Sequence, residues 1–483
     1  MRLPVIFRYL GVILLFNAAF ELLASLVAII YQDESQFILL YSAGVTACFG
    51  LFPLIFVPAV HDINRREGIL IVIGGWLLSC FVGAIPYILW GGEFTFVDAW
   101  FESVSGYTTA GSSILNDIEA LPKGLLFWRS TTHFIGGAGI IIFVITITPY
   151  LGTVGMILFQ REISEHAREA FQKRSRDAAR ILLYVYVGLI VAETIGLWIS
   201  GLSLFDAMTT SFGTIATGGF SVRNASIAAY NNLAAEIIII AGMILGGTSF
   251  ILIFHAIRGK VYYLFRSSVV RYYIGCLSVC IVIATVFLHN SQYSNWLEAL
   301  RHASFEITSI GTGTGFAIGD TSIWPGIVQL MMMFLIVQGA CIGSTTGAIK
   351  ADRFLLIWKS IGRQIRLLLH PKALLSIHLN GKPLDESIAS GSILYFAVYL
   401  LVLFLVSMIL AAIGVDIWSA FSGTAAAMGT VGPGFGAVGS AANYSFIPVL
   451  GKFALTFVML LGRLEIFGLL ILFSAEVWRF AKD

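Results

Sequence analysis

Four short segments rich in glycine and threonine recur along this chain: Thr109-Ala110-Gly111-Ser112, Thr217-Gly218-Gly219-Phe220, Gly313-Thr314-Gly315-Phe316 and Thr430-Val431-Gly432-Pro433. Their third-position glycines stand 108, 96 and 117 residues apart, and an alanine (Ala99, Ala207, Ala303, Ala420) lies twelve residues before each. A fourfold internal repeat limits the chain to folds in which four equivalent units pack together. Four such backbone segments gathered round one axis can present a ring of carbonyl oxygens, an arrangement that selects a dehydrated cation.

The units must pack in a membrane. The chain is 58% hydrophobic and 12% charged, against about 25% charged for a soluble domain. Apolar runs that approach or exceed the length of a spanning helix fall at 8–30, 37–60, 68–91, 125–150, 180–201, 233–256, 271–289, 326–349, 390–413 and 449–474. Ten spans place both termini on one side. Alternate loops then hold Arg65 and Arg66 and the stretches 161–180, 258–271 and 350–382; with Arg2, Arg8, Arg479 and Lys482 they carry 23 of the 29 Lys and Arg residues. The positive-inside rule makes both termini and these loops cytoplasmic; the basic loops 161–180 and 350–382 read as contact with anionic lipid or as a docking surface for a cytosolic regulator, and the sequence alone does not choose. Arg2 and Arg8 precede an apolar run too long for a signal peptide, with no cleavage pattern before Tyr31-Gln32-Asp33, so the first run reads as a retained helix. Cys48, Cys80, Cys276, Cys280 and Cys341 sit in apolar surroundings and read as packing residues.

The expected organisation is all-α: a helix pair (1–60), then repeats over 61–156, 157–260, 261–352 and 353–483, the second and fourth each opening with a basic loop. Within each repeat a span is followed by a short amphipathic segment (97–108, 205–216, 295–312, 416–429), the Gly/Thr segment, a polar stretch and a second span. The short segments cannot cross a bilayer and fit half-spanning pore helices. Non-helical backbone at membrane depth must line a cavity or be buried in protein. Glycine there permits the φ/ψ values that turn successive carbonyls to one axis, and pore-helix C-termini aim negative dipole ends at it. Helix packing alone explains one small-residue segment but not four in one context.

Two features break membrane rules. Arg463, in Leu460-Leu461-Gly462-Arg463-Leu464-Glu465 near the middle of the last run, is costly in hydrocarbon and is expected to face the pore as an electrostatic barrier. A local pair with Glu465 is disfavoured because residues two apart on a helix diverge. In the 326–349 run, Gln338-Gly339-Ala340-Cys341-Ile342-Gly343-Ser344-Thr345-Thr346-Gly347-Ala348-Ile349-Lys350 is too rich in glycine, serine and threonine for a robust helix, and reads as a candidate gate loop. Gly434-Phe435-Gly436-Ala437-Val438-Gly439 matches a dinucleotide fingerprint without a βαβ unit, and Asn224-Ala225-Ser226 and Asn443-Tyr444-Ser445 are formal sequons only. His133 and His255 lack metal-ligand spacing. The acids Asp98, Glu102, Asp206, Glu306 and Asp416, one or two per repeat, read as dipole caps.

Together, four helix–pore–helix units, the Gly/Thr segments, the Gly339–Lys350 loop and Gly462-Arg463-Leu464-Glu465 resemble the Trk/Ktr/HKT potassium transporters; the extra helix pair and Thr430-Val431-Gly432-Pro433-Gly434 point to the TrkH branch. The resemblance implies a bacterial inner-membrane potassium uptake subunit that forms homodimers, one pore per protomer. It implies filter glycines at Gly111, Gly219, Gly315 and Gly432, a gate around Gly343, and Arg463 beside it. It also implies a cytosolic ring of TrkA-like nucleotide-binding subunits as partner. Two departures stand out: Gly313 replaces the threonine of the other three segments, and the first segment lacks the aromatic after its glycine.

The expectation is therefore a potassium pore with no organic cofactor and no nucleic acid partner. Its ion would be held by the carbonyls of Thr109, Ala110, Gly111, Thr217, Gly218, Gly219, Gly313, Thr314, Gly315, Thr430, Val431 and Gly432. Its gate would be made of Gly339, Gly343, Gly347, Lys350 and Arg463. A sodium-permeable or sodium- or proton-coupled transporter, and more remotely a polytopic membrane enzyme, are the alternatives.

Overall fold

The computed structural model describes residues 2–58, 65–151, 168–373, 375–380, 382–384 and 386–473. Residues 161–167 of the first basic loop, Arg479, Lys482 and the boundaries at 60/61 and 156/157 lie outside them. The N-terminal pair is a hairpin, α1 (Leu3–Tyr31) and α2 (Gln36–Phe56), turned by Gln32 in the left-handed region (φ 54°). Its helices meet at two glycines: a Cβ on Gly11 would stand 2.6 Å from the Gly50 carbonyl oxygen, the close backbone approach that small residues allow between membrane helices.

The first repeat comprises α3 (Arg65–Gly83) and α4 (Ile85–Trp90), then α5 (Phe96–Tyr107) and α6 (Lys123–Leu151). The second holds α7 (Arg168–Ile199), α8 (Leu204–Ile215), α9 (Leu233–Gly246) and α10 (Phe250–Ile257). A short α11 (Tyr262–Arg266) leads to α12 (Ser268–Ser291), α13 (Trp296–Gly311) and α14 (Gly326–Gln338) of the third. Helix α15 (Ala351–Leu369) and a small antiparallel hairpin, β1 (Ile377–Leu379) with β2 (Lys382–Leu384), precede α16 (Glu386–Ala412), α17 (Ile417–Gly429), α18 (Val449–Arg463) and α19 (Ile466–Leu470). The β-hairpin was not anticipated.

Four of the ten expected spans are not single helices. The 68–91 run divides at Ala84 between α3 and α4. The 326–349 run stops at Gln338, as its glycines imply. The 233–256 run bends by 111° between α9 and α10, and the 449–474 run by 110° between α18 and α19. The signal for the former was present in Gly246-Gly247-Thr248-Ser249, a cluster of helix breakers. Arg463 is accordingly the last residue of α18, not a mid-span residue, and its charge meets the negative end of that helix.

Helices α5, α8, α13 and α17 are the pore helices. Each begins with a polar cap: Thr95 accepts from Asp98 N, Ser203 from Asp206 N, Asn295 from Leu297 N, and Asp416 from Trp418 N and Ser419 N. Such caps satisfy donors that a helix start leaves free. The recurrent Ala99, Ala207, Ala303 and Ala420 are all buried.

The loops after the Gly/Thr segments lock neighbouring repeats in a closed circuit. Asn224 accepts from Ile118 N (2.7 Å) and donates to Asp117 (2.7 Å), joining repeats 1 and 2. Ile227 N donates to Ala317 O (3.1 Å), joining 2 and 3. Ser440 Oγ donates to Gly319 O (3.1 Å), joining 3 and 4. Tyr444 N donates to Ser113 O (2.8 Å), joining 4 and 1. Asn443 of the other sequon also donates to Asn116 (3.0 Å); both sequon asparagines are therefore loop staples.

Candidate functional site

All four pore helices end the same way. The residues Thr109, Thr217, Gly313 and Thr430 take left-handed φ values of 53°, 52°, 74° and 52°. Their N–H groups bond the carbonyls three residues back, on Gly106, Thr214, Ile310 and Ala427. The next N–H groups, of Ala110, Gly218, Thr314 and Val431, bond carbonyls five back, on Ser105, Gly213, Ser309 and Ala426, at 2.8–2.9 Å. These are four Schellman caps, a motif whose left-handed position favours glycine. Gly313, the apparent departure, is thus the unstrained residue. A threonine there carries about 1–2 kcal/mol of backbone strain, and two of the three find side-chain partners. Thr217 Oγ1 donates to Ala216 O (2.7 Å) and lies 3.0 Å from Thr345 Oγ1; Thr430 Oγ1 accepts from Gly347 N (2.9 Å).

The third positions, Gly111, Gly219, Gly315 and Gly432, are left-handed again, at φ 75°, 78°, 82° and 98°. Each faces the second-position carbonyl of the next repeat. A Cβ on Gly111 would lie 2.2 Å from Gly218 O, one on Gly219 2.1 Å from Thr314 O, one on Gly315 1.9 Å from Val431 O, and one on Gly432 3.0 Å from Ala110 O. The sequence of contacts runs 1 to 2, 2 to 3, 3 to 4 and 4 to 1. It closes into a ring, bringing together all twelve residues named from the sequence.

The ring is braced by residues given other roles, or none, in the sequence reading. Glu102 and Glu306 lie within their pore helices and do not cap them. Glu102 accepts from Ile114 N (3.0 Å) and pairs with Arg129 (2.6 Å); Glu306 accepts from Ile318 N (2.7 Å) and Gly319 N (3.1 Å). In both repeats the carboxylate holds the backbone three residues past the third-position glycine. His133 is a satisfied histidine, but it sits at the ring: its Nδ1 is 2.8 Å from Gly106 O, and its Nε2 accepts from Phe220 N at 3.1 Å. That pair of partners assigns the Nδ1–H tautomer. Arg129 lies one turn before His133 on α6, the spacing that could have flagged both.

Against the C-terminal ends of the pore helices lies the loop between α14 and α15. Gly339, Gly343, Ala348 and Lys350 all have positive φ, which strains the two non-glycines, Ala348 and Lys350. Thr345 Oγ1 donates to Ile215 O (3.0 Å), and Thr346 Oγ1 donates to Thr312 O (3.1 Å). A Cβ on Gly347 would stand 2.4 Å from Thr430 Oγ1. One loop thus touches pore-helix ends of repeats 2, 3 and 4. The break of the second repeat seats it, Phe250 N donating to Gly343 O (3.2 Å) and Cys341 N to Gly247 O (3.0 Å). Two cations hold its carbonyls: Arg463 donates to Thr345 O and Lys350 to Thr346 O. Arg463 also donates to Gly136 O on α6 (2.8 Å), which brings in repeat 1. Its guanidinium is buried, with both terminal nitrogens on carbonyls; Glu465 pairs instead with Arg353 (2.9 Å).

A multi-pass bundle with four re-entrant segments meeting in one ring, and an irregular loop packed against the pore-helix ends, defines an ion-transport protein of the membrane. The comparisons with known proteins agree. The profile described as "TrkH: Cation transport protein" matches residues 54–479. The "Trk system potassium uptake protein TrkH" of Escherichia coli K12 is 35% identical over 99% of this chain and 100% of its own length. The protein of that name from Halomonas elongata is 33% identical over the same shares. The crystal structure of the potassium transporter TrkH from Vibrio parahaemolyticus superposes with a TM-score of 0.90 at 30% identity, over 99% of this chain and 100% of that one. This chain belongs to the TrkH family of cation transport proteins. These relatives are named as transporters, which sets the enzyme alternative aside.

Proposed function

We propose that the chain takes up potassium through the ring of Gly/Thr segments. Dehydrated K+ would be held by backbone carbonyls of Thr109–Gly111, Thr217–Gly219, Gly313–Gly315 and Thr430–Gly432, which replace its water shell. What carries the reading is the closed order of contacts between filter segments, because a ring of neutral carbonyls suits a monovalent ion that must leave as readily as it enters. The relatives' names as potassium uptake proteins support the choice of ion. The loop 339–350, with Gly339, Gly343, Gly347 and Lys350, is the gate, and Arg463 its lock.

The same reading divides the chain at 60/61, 156/157, 260/261 and 352/353. It places the protein in a bacterial inner membrane with both termini cytoplasmic, as a homodimer on a nucleotide-binding regulatory ring. The basic loops meet anionic lipid.

The test is K+ against Na+ flux into proteoliposomes containing the purified chain, for wild type and Gly315→Ser. Potassium-preferring flux weakened by the substitution is expected. An absence of cation flux, even with the regulatory ring supplied, would overturn the proposal.

A further inference from the structure

The hairpin α1–α2 has no counterpart in the repeats, and the pore as described gives it no task. We propose that it belongs to the ion-selecting machinery: Asn17 of α1 positions the first filter segment through the hydroxyl of Tyr107. The inference rests on the potassium-filter reading above and adds a positioning residue to it.

Tyr107 is the last residue of α5, two before the left-handed Thr109. It is buried, and its hydroxyl donates to Asn17 Oδ1 at 2.5 Å. Asn17 is fully buried as well, and its amide orientation follows from its partners. Nδ2 donates to Ile13 O on its own helix (2.9 Å) and to Ser79 Oγ on α3 (3.0 Å). Both amide hydrogens are consumed, so the oxygen is the atom left for the tyrosine. The main chain of Tyr107 is held at its other end: a Cβ on Gly136 would stand 2.2 Å from Tyr107 O and 3.1 Å from the Thr109 methyl. Gly136 is also the residue whose carbonyl takes Arg463. The filter's first turn is thereby fixed between the hairpin and the wall that anchors the gate.

The other repeats supply the contrast. Four residues before the filter glycine they carry Ile215, Gly311 and Met428, none with a side-chain hydroxyl or amide. Only the first repeat, whose α3 and α6 pack along α1, has a phenol there. Apolar contact would suffice to dock two membrane helices, and a buried polar pair in hydrocarbon is retained only where each member finds a partner. The placement of this pair next to Thr109 assigns it to the filter.

The experiment uses the full chain in proteoliposomes, reading the K+/Na+ flux ratio and the melting temperature of wild type, Tyr107→Phe, Asn17→Leu, the double variant and Ser25→Ala. Ser25 donates to Gln36 O within the hairpin (3.0 Å) and does not touch α5, so it reports on hairpin stability alone. Tyr107→Phe removes one oxygen and keeps the ring, so it tests the bond even where Asn17→Leu folds poorly. We expect Tyr107→Phe and Asn17→Leu each to lower the ratio about threefold or more, the scale of one hydrogen bond. The double variant should fall no further, and Ser25→Ala should leave the ratio unchanged. Single variants that melt lower yet keep the wild-type ratio would overturn the proposal, and so would additive losses in the double variant. A wild type without potassium preference would overturn the filter reading and this inference together.

Discussion

The ring of filter contacts makes a graded prediction for one substitution placed at four equivalent sites. Alanine at Gly111, Gly219, Gly315 or Gly432 meets the same backbone penalty, since all four have φ between 75° and 98°; left-handed strain of about 1–2 kcal/mol therefore cancels in the comparison. The steric terms do not cancel. The added Cβ would stand 1.9 Å from Val431 O at Gly315, 2.1 Å from Thr314 O at Gly219, 2.2 Å from Gly218 O at Gly111 and 3.0 Å from Ala110 O at Gly432. Ordinary contact begins at 3.4 Å, so the neighbouring carbonyl must retreat by 1.5, 1.3, 1.2 and 0.4 Å. Each obstacle is backbone and cannot rotate away. Overpacking of this kind costs about 1–3 kcal/mol, and a carbonyl pushed back by more than an ångström no longer ligates the ion its partners hold. Gly315→Ala should lower the K+/Na+ flux ratio about tenfold or more, Gly219→Ala and Gly111→Ala slightly less, and Gly432→Ala least. The assay is tracer flux into proteoliposomes at matched protein content. A Gly432→Ala variant as damaged as Gly315→Ala would refute the reasoning, because it would mean that the glycines serve φ alone and contact between repeats is immaterial.

Arg463→Gln frees the Thr345 carbonyl from its cation and should raise basal K+ flux in vesicles lacking the regulatory ring; unchanged or reduced flux would remove Arg463 from the gate. Arg353 and Glu465 tie the helix after the loop to the break in the last span, so Arg353→Glu and Glu465→Arg should each raise basal flux while the paired exchange restores it. Arg129→Leu strands the buried Glu102 carboxylate and should lower stability by about 3–5 kcal/mol, read as a fall in the melting temperature in detergent. At the loop staple, the Asn224 bond holds the Asp117 carboxyl below its ordinary 3.8. A depressed value means that its stabilisation is present above 3.8 and fades as pH drops through the folded value. Asp117→Asn should therefore melt below wild type at neutral pH and converge with it in acid.

Much of this was legible because the repeat is written in residue types whose backbone consequences are local. Glycine at four matched positions announces positive φ, and a twelve-residue offset to a small buried alanine fixes the pore helix that precedes it. The break in the 326–349 run was legible for the same reason, its glycines falling where helix would otherwise continue. What escaped were features set by partners distant in sequence. Nothing in the residue type at Thr109 says that a threonine will occupy a left-handed cap, a position that favours glycine. Glu102 reads as a pore-helix acid until Ile114 and Arg129 are seen to fill its oxygens. The bend after Gly246 could have been inferred from its breakers, yet the apolar residues on both sides outweighed them. Arg463 was expected in mid-span and instead ends α18: its cost in hydrocarbon is met by carbonyls of a loop more than a hundred residues earlier.

The symmetry of the sequence ends where the stereochemistry requires it to. An ion on the axis can be shared equally by four segments, so the filter keeps one conformation in all four repeats. The space against the pore-helix ends admits one object, and four identical loops would exclude each other. The repeats have divided the labour accordingly: the third supplies the loop, the second breaks at Gly246–Ser249 to seat it, and the fourth breaks after Arg463 to deliver the cation. The first, whose α6 runs unbroken from Lys123 to Leu151, supplies the wall that Arg463 grips at Gly136. On the proposed reading this arrangement lets the loop move without disturbing the filter, since it meets the pore helices through side-chain hydroxyls of Thr345 and Thr346 and a single backbone N–H, that of Gly347. The backbone bonds of the Schellman caps are closed within each repeat; the loop adds only the side-chain partners of Thr217 and Thr430. Opening should thus break the bonds of Thr345, Thr346 and Gly347 while leaving the four caps intact.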